Sequence, residues 1–204
     1  MSGVKIKLPP PDVKGGGVTV EAAIEGRRSR REFKGDPLTL SQLGQVLWAA
    51  QGCTGEGCLR AAPSAGATYP IEIFAAAGEG GVVGLDAGVY QYFPEDHEVV
   101  LRSAGDKRAQ LSQAAHGQAC VLQAPVSVLF AADYARTTGR YGERGERYVH
   151  IEVGHAGENL YLEVESLGLG TVAVGAFDDS EGAAAAGIKK PLVLLYIMPV
   201  GRYE

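Results

Sequence analysis

The longest set of regularly spaced apolar residues constrains the fold of this chain more than any other feature. Its members recur every three or four positions, as on one face of an α-helix. They are Val149, Val153, Ala156, Leu160, Val164 and Leu167. The spacing predicts one helix from about Arg144 to Leu167, ended by Gly168. Such a helix spans about 35 Å, which suits the spine of a domain or one side of a dimer interface.

Two shorter helices are predicted upstream of this one. The residues after Thr19 carry an apolar face, and Thr39 with Gln42 has the spacing of a capping box at a helix start. The apolar faces consist of Val20, Ala23 and Ile24 in the first helix and of Leu43, Val46, Leu47 and Ala50 in the second.

Apolar runs bounded by turn residues predict the strands. A helix from Asp106 to about Ala119 separates the early strands from the later ones. The predicted strands are Ile71–Ala77, Val89–Phe93, Glu98–Leu101, Val126–Ala132, Thr171–Val174 and Leu192–Met198. Helices come first, and strands and helices then alternate, which predicts an α+β fold with a central sheet.

Two segments are predicted to lie outside the regular elements. Residues 1–18 are expected to form an extended N-terminal arm before a single domain over 19–204. The stretch Asp133–Tyr148 mixes charged and aromatic residues, and we expect an exposed loop that leads into the long helix and acts as a lid.

Composition and charge narrow the class of protein. The 204-residue chain has a formal net charge of -5, which argues against nucleic acid as a general partner. No apolar run has the length of about 18 residues that spans a membrane, and the N-terminus lacks a signal-peptide core, so we expect a cytoplasmic protein without membrane contact. Cys53, Cys58 and Cys120 have no CxxC spacing and are expected to be reduced. The scattered histidines predict no metal site.

The run Arg27–Arg31 concentrates cations in an otherwise acidic protein. A guanidinium group binds two phosphate oxygens through parallel N–H donors, and Ser29 adds a hydroxyl donor. The run therefore predicts a site for a small anionic ligand. The alternatives are a solvated basic patch or a surface that docks an acidic protein.

Small residues dominate the segment Pro63–Pro70. They would let a flat ring approach the backbone, whose amide groups could bind the polar edge of the ring; an ordinary loop is the alternative. The glycines of Gly168–Gly175 do not form a dinucleotide-binding motif, because they end a helix and begin a strand instead of the reverse.

Several segments together resemble the nitroreductase family of flavin enzymes, and within it the SagB-type dehydrogenases. The resemblance covers nearly the whole chain and depends on the order and spacing of the segments. They are Leu8–Pro11, Arg27–Phe33, Pro63–Ala67, Tyr141–Arg144, Gly154–Tyr161, Leu167–Gly170, Val174–Asp178 and Pro199–Arg202.

The resemblance implies an intertwined homodimer of α+β fold that binds FMN at two interface sites. By position, the residues that would bind the FMN phosphate and ribityl chain are Arg27, Arg28, Ser29, Arg31 and Arg202. The loop of the partner subunit that would lie at the pyrimidine side of the flavin consists of Pro63, Ser64, Ala65, Gly66 and Ala67. The segment that would lie beside the reactive N5 edge consists of Val174, Gly175 and Ala176. Gln118 and Tyr148 are further candidates for flavin contact.

The implied reaction is a ping-pong transfer of electrons from NAD(P)H to a nitro compound, a quinone or another small electrophile. No side chain is obviously required as an acid or base, so no catalytic residue is predicted. Gly175 stands where many nitroreductases carry a Glu, and Arg136–Tyr148 lacks the Lys associated with azoline-forming relatives. Two alternatives therefore stay open: a SagB-type dehydrogenase acting on a peptide or metabolite, and a non-enzymatic FMN storage or sensor protein.

Overall fold

A seven-stranded sheet forms the centre of the computed structural model, which describes residues 4–14 and 17–203. Every pair of neighbouring strands is antiparallel. The strands are β1 (Lys5–Lys7), β2 (Ile71–Ala77), β3 (Gly88–Phe93), β4 (Glu98–Ala104), β5 (Val126–Ala132), β6 (Gly170–Thr171) and β7 (Val193–Gly201). Their order across the sheet is β1-β4-β3-β2-β5-β7-β6.

Helices cover both faces of this sheet. Because successive strand residues point to opposite faces, Ile73 packs in the core beneath α2 and α6, whereas Phe74 packs in the core beneath α3, α4 and α7. The helices are α1 (Val20–Gly26), α2 (Leu40–Gln51), α3 (Arg108–Ala114), α4 (Ala119–Gln123), α5 (Tyr134–Tyr141), α6 (Arg144–Ser166) and α7 (Asp179–Ala186). The predicted α+β fold with a central sheet is confirmed.

The two most strongly patterned helices form as predicted. All the predicted stripe residues of α6 within the helix are buried, and Gly168 ends it with φ +64°. In α2, Thr39 and Gln42 make both hydrogen bonds of the capping box, and Leu43 and Val46 are fully buried. In α1, however, only Ala23 of the predicted apolar face is buried, whereas Val20 and Ile24 are exposed.

Several predicted elements have different bounds in the structure. The expected exposed loop Asp133–Tyr148 contains α5, because Asp133 caps the helix and Thr137 is buried against Thr68. The helix expected from Asp106 to Ala119 is divided into α3 and α4 by a turn in which His116 and Gly117 have positive φ. The strand expected at Thr171–Val174 is not continuous. Its first residue belongs to β6, which pairs with β7, and Val174 forms an isolated bridge with Ile197 of β7.

Cys53 and Cys58 form a disulfide, so the expectation that all the cysteines are reduced is wrong for this pair. The chain folds back between them through a turn at Gly55–Cys58, and Cys53 pairs with Arg60 in an isolated antiparallel bridge. This return brings the two Cα atoms to 4.6 Å, within the range of disulfides. Cys120 is free and buried.

The N-terminal segment joins the sheet instead of extending away from it. Lys5–Lys7 pairs with β4, and the Leu8 N–H donates to the carbonyl of His97 at 3.0 Å. The predicted arm also includes residues 1–3 and 15–16, and the predicted domain includes residue 204; these lie outside the described residues. Among the helices that are described, none is both long and apolar enough to cross a membrane.

Candidate functional site

The arginine run leaves the end of α1 and lies along the edge of the sheet. Ser29 forms a parallel bridge with Thr171, and the Arg30 N–H donates to the Thr171 carbonyl at 2.9 Å. The backbone of this run is therefore fixed beside β6, although little of the run forms regular secondary structure.

The hydroxyl of Tyr161, on α6, links the arginine run to the segment after β6. It accepts a hydrogen bond from the Ala173 N–H at 2.8 Å and lies 3.1 Å from the Ser29 Oγ. Because the Ala173 N–H can only donate, the Tyr161 proton is free to bond Ser29. The Arg27 guanidinium also lies over the Tyr161 ring, 5.1 Å from its centroid.

The four arginines of the run have different surroundings. Arg28 donates to the carbonyls of Glu25 and Arg27 at the end of α1, and Arg27 lies 3.9 Å from a carboxylate oxygen of Glu158. Arg30 packs its guanidinium over the Tyr203 ring at 4.4 Å. Arg31 is exposed and makes no side-chain hydrogen bond or ion pair within residues 4–14 and 17–203.

The C-terminal strand brings Arg202 to the same end of the molecule. Its carbonyl accepts the Lys34 N–H at 2.8 Å, and Phe33 pairs with Tyr203 in an antiparallel bridge. Like Arg31, the Arg202 side chain is exposed and has no acidic partner in the part of the chain that the structure describes. Arg31 and Arg202, neither with an acidic partner in the described residues, thus lie on two segments that are paired through Phe33, Lys34 and Tyr203.

The segment Val174–Ala176 adjoins this arginine edge through Ala173. Val174 is buried and exchanges two backbone hydrogen bonds with Ile197, at 2.9 and 3.1 Å. Gly175 and Ala176 are exposed, and the Ala176 carbonyl accepts a hydrogen bond from the Gln118 amide at 3.2 Å. Gln118 thus positions this segment, a role that the sequence pattern did not indicate.

The turn at Pro63–Ala67 is held from two sides. Gly66 has φ +60°, a conformation that glycine adopts without strain, and it packs against the ends of the Tyr141 and Arg140 side chains of α5. Arg140 of α5 donates to the Gly66 carbonyl at 3.0 Å, and the Ser64 Oγ accepts the Tyr69 N–H at 3.0 Å. Tyr148 of α6 packs edge-to-face on Tyr141, 5.2 Å between ring centroids.

Within one chain the predicted site residues form two separate groups. The arginine run and the segment after β6 meet at Tyr161, and the backbone of Arg202 bonds Lys34 just beyond the run, whereas the turn at Pro63–Ala67 lies near Glu152 on the same helix as Tyr161. Nine residues of helix separate Glu152 from Tyr161, which is roughly 13 Å.

Glu152 and Tyr161 are the site residues that sequence reasoning did not single out. Glu152 is 2% exposed, and burial raises the pKa of its carboxyl group to about 7, while hydrogen bonding from Ser64 and Gln51 acts in the opposite direction. Tyr161 falls in a segment that carried the family resemblance, but its contacts lie far away in sequence. Within the described residues, no cluster of His, Cys, Asp or Glu is suited to a metal ion.

Comparison with known sequences gives matches along most of the chain. The sequence profile of the Nitroreductase family matches residues 24–202. A protein of Methanocaldococcus jannaschii, provisionally named a nitroreductase, is 46% identical over 192 residues, which are 94% of each chain. The trifolitoxin-processing protein TfxB of Rhizobium leguminosarum bv. trifolii is 31% identical over 120 residues, 57% of this chain and 32% of that protein.

Solved structures show the same fold. Two proteins provisionally described as nitroreductases are each 29% identical to this chain. The protein from Anabaena variabilis has a TM-score of 0.86 over 99% of this chain and 42% of its own chain. The protein from Ralstonia eutropha has a TM-score of 0.85 over 100% of this chain and 93% of its own chain. The NADPH:FMN oxidoreductase of Vibrio harveyi, solved with NAD+, is 21% identical with TM-score 0.65 over 91% of this chain and 69% of that chain, a likeness of fold. The chain belongs to the nitroreductase family and has the general role of an oxidoreductase.

Proposed function

We propose that this protein is an FMN-dependent oxidoreductase that transfers electrons from NAD(P)H to a nitro compound, a quinone or another small electrophile. The observation that carries the proposal is that the Tyr161 hydroxyl joins the arginine run to the segment leading into Val174–Ala176, while Arg202 lies on the strand end that pairs with the residues just after the run. This arrangement places cations beside an open segment of small residues.

The charged part of the site fits the phosphate of FMN. Arg31 and Arg202 are exposed and have no acidic partner among the described residues, so both are available to an anion. Arg27 and the Ser29 hydroxyl are held beside them by Tyr161. Charge-assisted hydrogen bonds from such donors are among the strongest that a protein forms with phosphate.

The small residues fit a flat ring. If Gly175 carried a Cβ atom, the nearest atom to it would be one of the Tyr196 ring, at an ordinary contact distance of 3.7 Å. The space beside the Gly175 backbone is therefore open. The turn at Pro63–Ala67 presents little side-chain bulk and is held rigid by Arg140 and Tyr69. Rigid backbone with small side chains suits the approach of a planar ligand.

The two groups of site residues are brought together in our proposal by a homodimer, in which the turn of one subunit completes the site of its partner. The helix α1 supports this arrangement, because its apolar side chains Val20 and Ile24 are 65% and 58% exposed in the single chain. Burial of such side chains against a second copy would be favourable.

The division of labour follows from these contacts. FMN, when bound, would supply the redox chemistry between the nicotinamide and the acceptor, for which the chain offers one shared place. The chain binds the phosphate through its arginines and orients the ring through backbone fixed by Tyr161 and Gln118. We assign no catalytic side chain.

A SagB-type dehydrogenase acting on a peptide is the second candidate. It is favoured by the 31% identity to the trifolitoxin-processing protein. A storage or sensor protein is the third, because Gly175 offers no side chain to a nicotinamide.

Absorbance and anaerobic reduction test the proposal. The purified protein should be yellow, release flavin mononucleotide, and be bleached by NADH or NADPH and restored by a nitroaromatic or quinone. Steady-state data should give parallel lines in double-reciprocal plots, because both substrates use one pocket in turn. A colourless protein that takes up no added FMN would contradict the proposal. Reduction by dithionite but by neither nicotinamide would favour the storage or sensor candidate.

A further inference from the structure

Glu152 is a buried acid that the proposed reaction does not use. Its side chain projects from the middle of α6 into the core side of the helix and is 2% exposed. Both carboxylate oxygens lack a hydrogen bond of ordinary geometry within the described residues. A buried carboxyl group in this condition is costly, since desolvation is not compensated.

The groups that face this carboxyl are hydrogen-bond donors. The amide nitrogen of Gln51, at the end of α2, is also buried without a partner in the described part of the chain. The Ser64 hydroxyl already accepts the Tyr69 N–H at 3.0 Å, which leaves its proton to donate. Both groups lie close enough to lower the pKa of Glu152 by hydrogen bonding, although neither contact has the geometry of a complete hydrogen bond.

We propose that Glu152 is a positioning residue of the flavin site: its carboxylate accepts hydrogen bonds from Ser64 and Gln51 and fixes the Pro63–Ala67 turn in the shape that binds the flavin ring. The inference rests on the proposed FMN function. Small side-chain rotations would complete both hydrogen bonds, because both donors lie close to the carboxylate and the Gln51 amide nitrogen is itself buried without a partner in the described residues.

The charge on Glu152 decides whether these hydrogen bonds form. An ionised carboxylate accepts from both donors, whereas the neutral acid brings a third donor into the same cluster. Burial favours the neutral acid and the two donors favour the carboxylate, and the result is a pKa of about 7. We therefore expect the hydrogen bonds from Glu152 to the turn to depend on pH near neutrality.

The other ionisable groups around Glu152 do not shift its pKa. One turn away on α6 lie Tyr148 and His155, and α2 carries no charged side chain. Arg140 donates to the Gly66 carbonyl, and Arg60 lies over the Tyr69 ring. None of these groups shifts the pKa of Glu152; burial, Ser64 and Gln51 do.

FMN affinity of the full-length apo protein at pH 6 and pH 8 tests the proposal. E152Q should bind FMN about 10-fold more weakly than wild type at pH 8 but only about twofold more weakly at pH 6, as expected for loss of a hydrogen bond to a charged group. The FMN phosphate itself titrates near pH 6. Comparing the FMN affinities of E152Q and wild type at the same pH cancels that effect. The exposed Glu79 supplies the control E79Q, which should match wild type at both pH values.

Ser64 provides a second variant that does not alter the core of α6. S64A should lose the same pH dependence, and S64A/E152Q should bind FMN no more weakly than E152Q. Hydrogen exchange of residues 63–69 in the apo protein reports the turn without FMN: wild type should be better protected than E152Q at pH 8 and equal to it at pH 6.

Three results would overturn the inference. They are an affinity ratio that is the same at both pH values in folded proteins, additive losses in the double variant, and equal exchange of the turn in wild type and E152Q. If wild type binds no FMN at all, the proposed function itself fails and the flavin role of Glu152 fails with it. A difference in hydrogen exchange would then assign Glu152 to the turn alone.

Discussion

Adjacent arginines in the run Arg27–Arg31 are directed to opposite sides of an extended backbone. Successive side chains of an extended segment alternate in direction. Arg30 accordingly packs on the Tyr203 ring and against Gly170. The packing at Gly170 is close, because a Cβ atom added to this glycine would lie 2.7 Å from the Arg30 side chain. Ser29 and Arg31 are exposed. The alternation explains why we assign Arg31 to the phosphate and Arg30 to packing.

Replacing Arg31 by Ala is expected to weaken FMN binding roughly 10- to 150-fold, because a charge-assisted contact contributes about 1.5–3 kcal/mol. The measurement is a titration of apo protein with FMN. Lys189→Ala makes the same change in net charge at an exposed position just after α7 and should leave the affinity unchanged. Equal affinities of the two variants would show that Arg31 does not bind the phosphate.

Single residues of the site differ in how well the sequence predicts them. The arginines are recognisable from local charge alone. Tyr161 is not, because its function depends on Ser29 and Ala173, which lie 132 and 12 positions away. Glu152 escapes notice for a different reason: a lone glutamate in a long amphipathic helix suggests the solvated face, and only the fold shows that it is buried.

At the scale of elements, Tyr161 connects α6 to two separate segments of backbone. Tyr161→Phe removes the acceptor of the Ala173 N–H and the donor to Ser29 while keeping the ring under Arg27. We expect unfolding free energy to fall by about 1–2 kcal/mol and FMN affinity to fall as well, measured by urea unfolding and FMN titration.

Tyr196→Phe is the matched control, since no hydrogen bond of the Tyr196 hydroxyl is seen within residues 4–14 and 17–203. If Tyr161→Phe lowers stability but leaves FMN affinity at the wild-type value, the link through Tyr161 supports the fold and not the site.

His97 attaches the N-terminal segment to the β3–β4 hairpin. Its Nε2 donates to the Pro9 carbonyl and its Nδ1 accepts from the Tyr92 hydroxyl, both at 2.8 Å, which requires the neutral ring. Burial lowers the pKa of His97 below its usual 6.5, and nearby Lys7 adds to this, although the Pro9 carbonyl opposes it. The folded state thus binds fewer protons than the unfolded state just below pH 6.5, and stability falls as pH decreases through this range.

His97→Phe should therefore destabilise the protein by about 1–2 kcal/mol at pH 7 and by less at pH 5, where the wild-type attachment is itself weakened. Urea unfolding at both pH values measures the difference. His116→Asn is the control, because His116 is exposed with φ +57° and Asn tolerates that conformation. A penalty that is equal at pH 5 and pH 7 would rule out titration of His97 as the cause.

The elements that the sequence predicts well are those whose burial is periodic. The stripe of α6 and the apolar run of β5 meet this condition, and β5 is buried throughout because helices cover both faces of the sheet. The helix α5 was missed because its buried residue is Thr137, whose hydroxyl bonds Thr68 instead of contributing an apolar signal. The helix α7 was missed because its alanines form no stripe, although Asp178 caps it and Gly187 ends it.

At the scale of the whole molecule, the long helix α6 keeps the two groups of site residues apart. A rigid helix cannot bring the turn near Glu152 to the arginines near Tyr161, which lie roughly 13 Å away. In the proposed homodimer, the turn of one copy lies beside the arginines of the other. The sequence could suggest this only through family resemblance, because no local pattern encodes the distance between two sites on one helix.

We expect a homodimer that persists at micromolar concentration and binds one FMN per chain, with an interface above about 2,000 Å² as in obligate dimers. Ile24→Glu should weaken the dimer and FMN binding together, because Ile24 is 58% exposed on α1 and a charge there opposes burial. Val83→Glu is the control, because Val83 is similarly exposed, at 60%, and lies where the backbone bonds Leu38. This change should leave dimer formation and FMN binding unchanged. Light scattering that shows a monomer with FMN fully bound would mean that one chain forms the site alone, through a rearrangement of the turn that the contacts of Arg140 and Tyr141 oppose.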